Sequence, residues 1–399
     1  MFQKQLLKMA FNKIQGANFE VTYWDGQTDS FGDNPNQKPE FEIIINEKLD
    51  LNEIRKKPQL RLGEAYMKGD IDLKGNLKEV LKLAAQNINR LMEDTGDYIP
   101  EDFWERQKEA SFEKQKEGVQ DHYDLGNDFF KLWQDETMTY SCAYFKSKDD
   151  SLKEAQLQKN DHVLKKLNLK PNEKLLDIGC GWGHLAIRAV KQYDVNVLGI
   201  TLSEEQVEGA RQKVAEEGLE DKIEIRKQDY RDLAENGVEF DKILSVGMFE
   251  HVGKEHIPEY FEAVDKMLSE DGLSLLHTIT HQKEQPTNPW LEKYIFPWGY
   301  IPSLREVTWE LPEHGFQIQD VENIGFHYSL TAERWYDNYE EVTDQVEEMF
   351  DEQFVRRWRL FLAGVVATFR YLDTAVHQIL FTKGKNIEIP LTREYIYNK

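Results

Sequence analysis

Cysteine is almost missing from this sequence: Cys142 and Cys180 are the only two in 399 residues, with no CxxC pair or Cys/His cluster. That excludes a disulfide framework and a zinc site, and it fits a reducing, cytoplasmic setting. No apolar run approaches the about 20 residues that a membrane-spanning helix needs. The longest candidate, 360–369, is flanked by Arg359 and Arg370. Lys4, Lys8 and Lys13 interrupt the apolar residues at the start, so no signal-peptide core is expected. Positive charge is in deficit, with 50 Lys and Arg against 73 Asp and Glu and a net charge of −23. Such a chain repels phosphate backbones and anionic membrane surfaces. Nucleic acid is therefore not an expected partner, and membrane contact is confined to a local basic, amphipathic element. The GxGxxG and GK[ST] signatures of dinucleotide and phosphate binding are absent, as are internal repeats and low-complexity tracts.

The length predicts two domains. Residues 1–14 place Phe2, Leu6, Leu7, Met9, Ala10, Phe11 and Ile14 at roughly helical spacing, with three lysines and no acid. This is the pattern of a short interfacial helix, or of a helix docked on its own domain or on a partner subunit. FEVTYW and FEIIIN read as strands and LKEVLKLAAQNI as a helix, with RLGEAYMKGDIDL between them offering glycines for turns. From Glu101 to Gly118 the chain is dense in charge, a linker or solvated helix. The boundary is placed near residue 115, dividing domains 1–115 and 116–399.

From Glu173 onward strands and helices alternate. KLLDIG, VNVLGIT, KIEIRK, FDKILSV and LSLLHTI read as strands, interleaved with HLAIRAVKQY, SEEQVEGARQKVAEEG and IPEYFEAVDKML as helices. This predicts an α/β fold with a mostly parallel sheet covered on both faces. VHQILFTK is expected as a final edge strand. The segments 281–313 and 325–372, rich in Trp, Tyr and Phe, are expected as a helical cap over the sheet. Within them RRWRLFLAGVVATFR (356–370) reads either as a lipid-contacting element or as a core helix.

LLDIGCGWG sets Asp177, Gly179, Gly181 and Gly183 directly after a strand and before a helix. Glycines there allow close backbone approach to a ligand facing the helix amino terminus. Asp177 disfavours a pyrophosphate and suits an amino-acid ammonium or a sulfonium. The spacing resembles the first motif of class I methyltransferases, which bind S-adenosylmethionine. That resemblance implies a Rossmann-like sheet of seven strands. In such enzymes the second strand ends at the ribose; here Thr201, Leu202 and Gln206 stand there, with Glu204 or Glu205 as alternative ribose partners. After the third strand, Asp229 can accept from the adenine amino group and Tyr230 can cover the ring, although Asp229 can equally cap a turn.

HYDLGNDFF (122–130), TYSCAYF (139–145), SVGMFEHVG with Glu250 and His251, LLHTI with His277, and GFHYSLTAERWY with Tyr328 complete the set. From about Val119 onward they closely resemble the cyclopropane-fatty-acyl-phospholipid synthases and the related mycolic-acid cyclopropane synthases. The amino-terminal part, with RLGEAYMKGD, is similar to the lipid-binding domain of the phospholipid-acting branch. The resemblance implies transfer of a methylene group from S-adenosylmethionine to an acyl double bond, with bicarbonate as general base. Its implied holders are Glu250, His277 and Tyr328, with the backbone of Cys142 and Ile279; Tyr140 and Ser141 would touch the cofactor. A homodimer, an unsaturated phospholipid in the bilayer as partner, and peripheral attachment to the inner membrane face follow from the same resemblance.

The chemistry agrees. An alkene is a weak nucleophile, so its electrophile must be held in line. The carbocation left by attack requires a dry pocket with ring faces, for which 290–300 and 327–336 supply aromatics. Two alternatives remain: a lipid C-methyltransferase giving a methyl-branched chain, and a non-catalytic lipid-binding protein.

Overall fold

The computed structural model describes residues 2–92, 114, 118, 125–386 and 388–397. The boundary expected near 115, most of the linker 101–118 and His122 lie outside them. The chain divides into two compact units. The first comprises Met1–Glu101, Pro286–Ile295 and Ala332–Asp373; the second comprises Asp102–Gln285, Phe296–Thr331 and Thr374–Lys399. This differs from a simple cut near 115, because Pro286–Ile295 and Ala332–Asp373, expected as inserts of the catalytic domain, group with the amino-terminal unit.

The first unit contains a four-stranded sheet of β1 (Asn18–Thr22), β2 (Thr28–Gly32), β3 (Phe41–Ile45) and β4 (Ile71–Lys74), in the order β2-β1-β3-β4. The alternation in FEVTYW puts Phe19, Val21 and Tyr23 on one buried face. Phe19 stacks on Phe41 at 5.1 Å. The helix Phe2–Phe11 docks on this core through Leu7 and Phe11. Two of its basic groups are paired inside the unit, Lys4 with Asp25 and Lys8 with Asp29, each at 2.7 Å. Of the readings left open for residues 1–14, docking on the protein's own core accounts for these contacts. Met9 remains 66% exposed.

RLGEAYMKGDIDL is not a run of turns. Pro58 opens a helix, Pro58–Lys68, which Gly69 ends at φ +82°. Gly63 lies inside that helix, where a Cβ would clash with the Trp290 ring. The segment 356–370 belongs to the helix Glu352–Tyr371, which buries Phe354, Trp358, Phe361 and Leu362. It is a core helix of the first unit. Arg356 on it donates to the carbonyls of Tyr66 (2.6 Å) and Ile71 (2.9 Å).

The second unit carries seven strands: β5 (Lys174–Ile178), β6 (Asn196–Thr201), β7 (Ile223–Lys227), β8 (Phe240–Val246), β9 (Leu268–His281), β10 (Phe316–Asn323) and β11 (Thr374–Lys383), ordered β10-β11-β9-β8-β5-β6-β7. β5 to β9 run parallel in that order. Their near-continuous apolar sequences reflect burial on both faces. VHQILFTK, expected at the edge, is instead the buried β11, inserted antiparallel between β9 and β10. The edge belongs to β10, FQIQDVEN, a half-exposed and mostly polar strand. Strand order reverses between β5 and β8, which opens a crevice at their carboxyl ends.

Candidate active site

The turn after β5 is built for close approach. Gly179, Gly181 and Gly183 take φ values of +83°, +53° and +76°, a region that L side chains disfavour. The turn is clamped to β6 by Gly179 N and Cys180 N, which both donate to Ile200 O. A Cβ on Gly179 would lie 2.7 Å from Met248 Cβ, so the turns after β5 and β8 touch here. Between them opens a cleft that is partly open to solvent.

The predicted cofactor residues Tyr140, Ser141, Asp177, Gly179, Gly181, Thr201, Leu202, Gln206, Asp229 and Tyr230 all line that cleft. Gly183 does not; it caps the helix His184–Tyr193 and packs against Ala210. Asp177 is 2% exposed, its Oδ2 has no hydrogen-bond partner, and burial pushes its carboxyl up to about 7 against the pull of Lys159. Thr201 Oγ1 donates to Gln206 Oε1 at 2.6 Å. Asp229 caps the short helix Tyr230–Ala234 by accepting from Arg231 N, and it pairs with the Arg231 guanidinium. The turn-capping role of Asp229 is thus real, and it keeps the carboxylate fixed at the cleft wall. Tyr140 is seated on Phe130 (5.5 Å) and Trp133 (5.6 Å) of the helix Asn127–Trp133. Asn127 Oδ1 in turn accepts from Trp182 Nε1 at 2.6 Å.

The second group of predicted residues lies around the ends of β8 and β9. After Val246, Gly247 turns the chain at φ +68° and its N donates to His277 O, leading into a short 3-10 helix, Phe249–His251. Glu250 Oε1 accepts from Ile279 N at 2.6 Å, while Oε2 is buried without a partner. Burial raises the Glu250 carboxyl above its ordinary value, partly offset by that bond. The N–H of Ile279 is therefore engaged by Glu250, which ties the backbone of β9 to the carboxyl. His277, two residues earlier on β9, shares the face of Ile279. It is 2% exposed, burial holds its pKa well below the ordinary value, and its Nδ1 lies 3.3 Å from Gln378 Nε2. A neutral ring accepting at Nδ1 carries its proton on Nε2.

Cys142 is buried, and desolvation pushes its thiol up. Its Sγ lies 3.8 Å from Ile324 O, at the start of the helix Gly325–Glu340 that carries Tyr328. Ala143 N and Phe145 N bond to Thr331 Oγ1 and His327 Nδ1 of the same helix. The structure thus joins the Cys142 segment to the Tyr328 helix and Glu250 to β9. The aromatic runs divide: Trp290, Trp335 and Tyr336 are core residues of the first unit, whereas rings lining the cleft come from Tyr140, Trp182 and Tyr230.

The family described as mycolic acid cyclopropane synthetase matches residues 110–379. The chain belongs to this family. A domain of unknown function, DUF7884, matches residues 3–96. Among relatives of the family, a probable fatty acid methyltransferase of Pseudomonas putida is 36% identical over 94% of this chain and 95% of its own. The cyclopropane-fatty-acyl-phospholipid synthase of Escherichia coli K12 is 42% identical over 66% of this chain and 67% of its own. The structure of mycolic acid cyclopropane synthase CmaA1 complexed with SAH and CTAB matches with a TM-score of 0.63 at 35% identity, covering 67% of this chain and 98% of that one. With this family the chain is a class I, S-adenosylmethionine-dependent methyltransferase.

Among the cleft residues that sequence reasoning did not single out are Lys159 and Asn160. Lys159 and Asn160 sit in LKEAQLQKNDHVLKK, whose composition is that of a solvated helix, yet both are buried. His251 was visible beside Glu250 but carried no signal of its own; burial holds its pKa down at about 4.

Proposed function

We propose that this protein transfers a methylene group from S-adenosylmethionine to the cis double bond of an unsaturated phospholipid acyl chain, forming a cyclopropane ring. The observation that carries the reading is Glu250, a buried carboxyl at the end of β8, anchored by one oxygen and unbonded at the other. The names of the Escherichia coli and CmaA1 relatives support it, as does the long-chain amphiphile CTAB in the CmaA1 complex.

In this reading the donor supplies an electrophilic methyl group. Tyr140, Ser141 and Gly179 place it, Thr201 and Gln206 face the ribose, and Asp229 with Tyr230 takes the adenine. Trp182 and Tyr140 present ring faces that shield the cleft from water. Bicarbonate, if held here, supplies the base for ring closure. The residues present fit such an ion: Glu250 Oε2 is buried without a partner, and burial raises this carboxyl above its ordinary value. His277 offers Nε2–H, and Tyr328 and the Cys142 backbone complete the set of proposed holders. Ile279 acts one step back, by orienting Glu250.

The substrate sits in a bilayer, so the protein binds the membrane peripherally, from the cytoplasm, and works as a homodimer. The first unit provides the lipid-docking domain in this account. No helix among the described residues is long and apolar enough to cross a membrane.

A second reading has its own support. A relative aligned over 94% of this chain is named a probable fatty acid methyltransferase, and methyl branching shares the first step. Incubation with unsaturated phospholipid vesicles, S-adenosylmethionine and bicarbonate separates the two. A gain of one CH₂ with loss of the double bond supports cyclopropanation. Retention or migration of the double bond supports branching.

A further inference from the structure

The helix Leu152–Lys166 carries a lysine into the wall of the donor cleft. Lys159 is 1% exposed, and its Nζ lies 3.1 Å from Ser141 Oγ. Among the described residues no carboxylate forms an ion pair with it. Its one hydrogen bond goes to a neutral hydroxyl, and Asp177 acts on it through its field without bonding it, so the buried ammonium has room for a closer counter-ion. Its neighbour Asn160 is fully buried, and both amide atoms lack partners. On the same cleft Asp177 presents the unpartnered Oδ2. One cation, one anion and one amide, all buried and incompletely bonded, are the complement of an α-amino acid zwitterion. The low dielectric that leaves these groups poorly ionised, with Lys159 down at about 8 and Asp177 up at about 7, disappears as a penalty once opposite charges fill the site.

We infer that Lys159, with Ser141 Oγ beside it, binds the α-carboxylate of the donor's amino-acid moiety, while Asp177 faces its α-ammonium and Asn160 bonds the same group. Lys159 thereby fixes the donor at the end remote from the nucleoside and sets the direction in which the sulfonium methyl points. The selectivity implied is for a nucleoside thioether bearing a free carboxylate. A decarboxylated donor would leave Lys159 buried without its counter-charge.

The inference rests on the S-adenosylmethionine reading, and binding measurements keep the two apart. The full-length protein and Lys159→Met are titrated with S-adenosylhomocysteine and with the same thioether lacking only the α-carboxylate. The wild type is expected to prefer the carboxylate-bearing ligand by roughly tenfold or more, the value of a charged hydrogen bond. Lys159→Met is expected to erase that preference by weakening S-adenosylhomocysteine alone. Equal wild-type affinities would overturn the inference even if the variant failed to fold, and so would equal weakening of both ligands in a folded variant. Binding of neither ligand by the wild type would instead overturn the S-adenosylmethionine reading.

Discussion

Glu250 and Ile279 are joined by a 2.6 Å hydrogen bond from the backbone of β9 to Oε1, which leaves Oε2 buried and unbonded. The bond ties the end of β8 to the end of β9 and presents a single carboxyl oxygen to the chemistry. Glu250→Gln keeps the acceptor for Ile279 and removes the capacity to exchange a proton. Turnover is expected to fall about 100-fold, with S-adenosylhomocysteine affinity unchanged. Near-normal turnover in this variant would remove Glu250 from the reaction.

Three histidines of the second unit are held neutral by burial: His184 and His251 down at about 4, and His277 well below its ordinary value. In the unfolded chain each titrates near pH 6.5, about the free value. Below that pH the unfolded state binds protons that the folded state refuses, so this contribution to stability is full above about 6.5 and falls as pH drops toward about 4. Melting temperature measured across that window is expected to decline, and His251→Gln is expected to decline less steeply. An identical slope in the variant would show that His251 does not contribute.

The glycines of one turn differ in what they tolerate. Gly179→Ala places a Cβ 2.7 Å from Met248 Cβ at φ +83°, whereas Gly181, at φ +53°, has open space. The first change is expected to cost about 2–4 kcal/mol and the second about 1 kcal/mol, the backbone penalty alone. Urea denaturation of both variants measures the difference. Equal costs would mean that the contact with Met248 yields freely.

Phe11 packs between Phe19 and Phe31, at 6.0 and 5.5 Å between ring centroids, while Met9 on the same helix is 66% exposed. Phe11→Ala is expected to destabilise the first unit by about 2 kcal/mol, and Met9→Ala by less than about 0.5 kcal/mol. Thermal melting and vesicle co-sedimentation of both distinguish the roles. A neutral Phe11→Ala together with loss of vesicle binding in Met9→Ala would make the helix a membrane element rather than a structural one.

The strands β5 to β9 were legible because burial on both faces writes continuous apolar runs, and the glycine turn was legible because φ > 0 demands that residue at fixed offsets. β10 was hidden by its edge position, which lets Gln317, Gln319, Asp320 and Glu322 replace apolar residues. β11 was visible as a strand, but its insertion beside β9 depends on long-range antiparallel pairing that leaves no local mark. The helix Pro58–Lys68 was masked by Gly63, which is small because Trp290 lies against it. Lys159 and Asn160 looked like solvated helix positions, since burial of a charged helix face is decided by what packs on it. The partner of Glu250 was equally invisible: a backbone N–H twenty-nine positions away has no side-chain signature.

The most direct test of the central claim is the isotopic content of the product. Unsaturated phospholipid vesicles are incubated with the protein, bicarbonate and S-adenosylmethionine carrying a fully deuterated methyl group, and the released fatty acids are weighed by mass spectrometry. The account predicts a saturated product that keeps two of the three deuteriums, because a base removes one as the ring closes. A methyl-branched chain that keeps all three would contradict it.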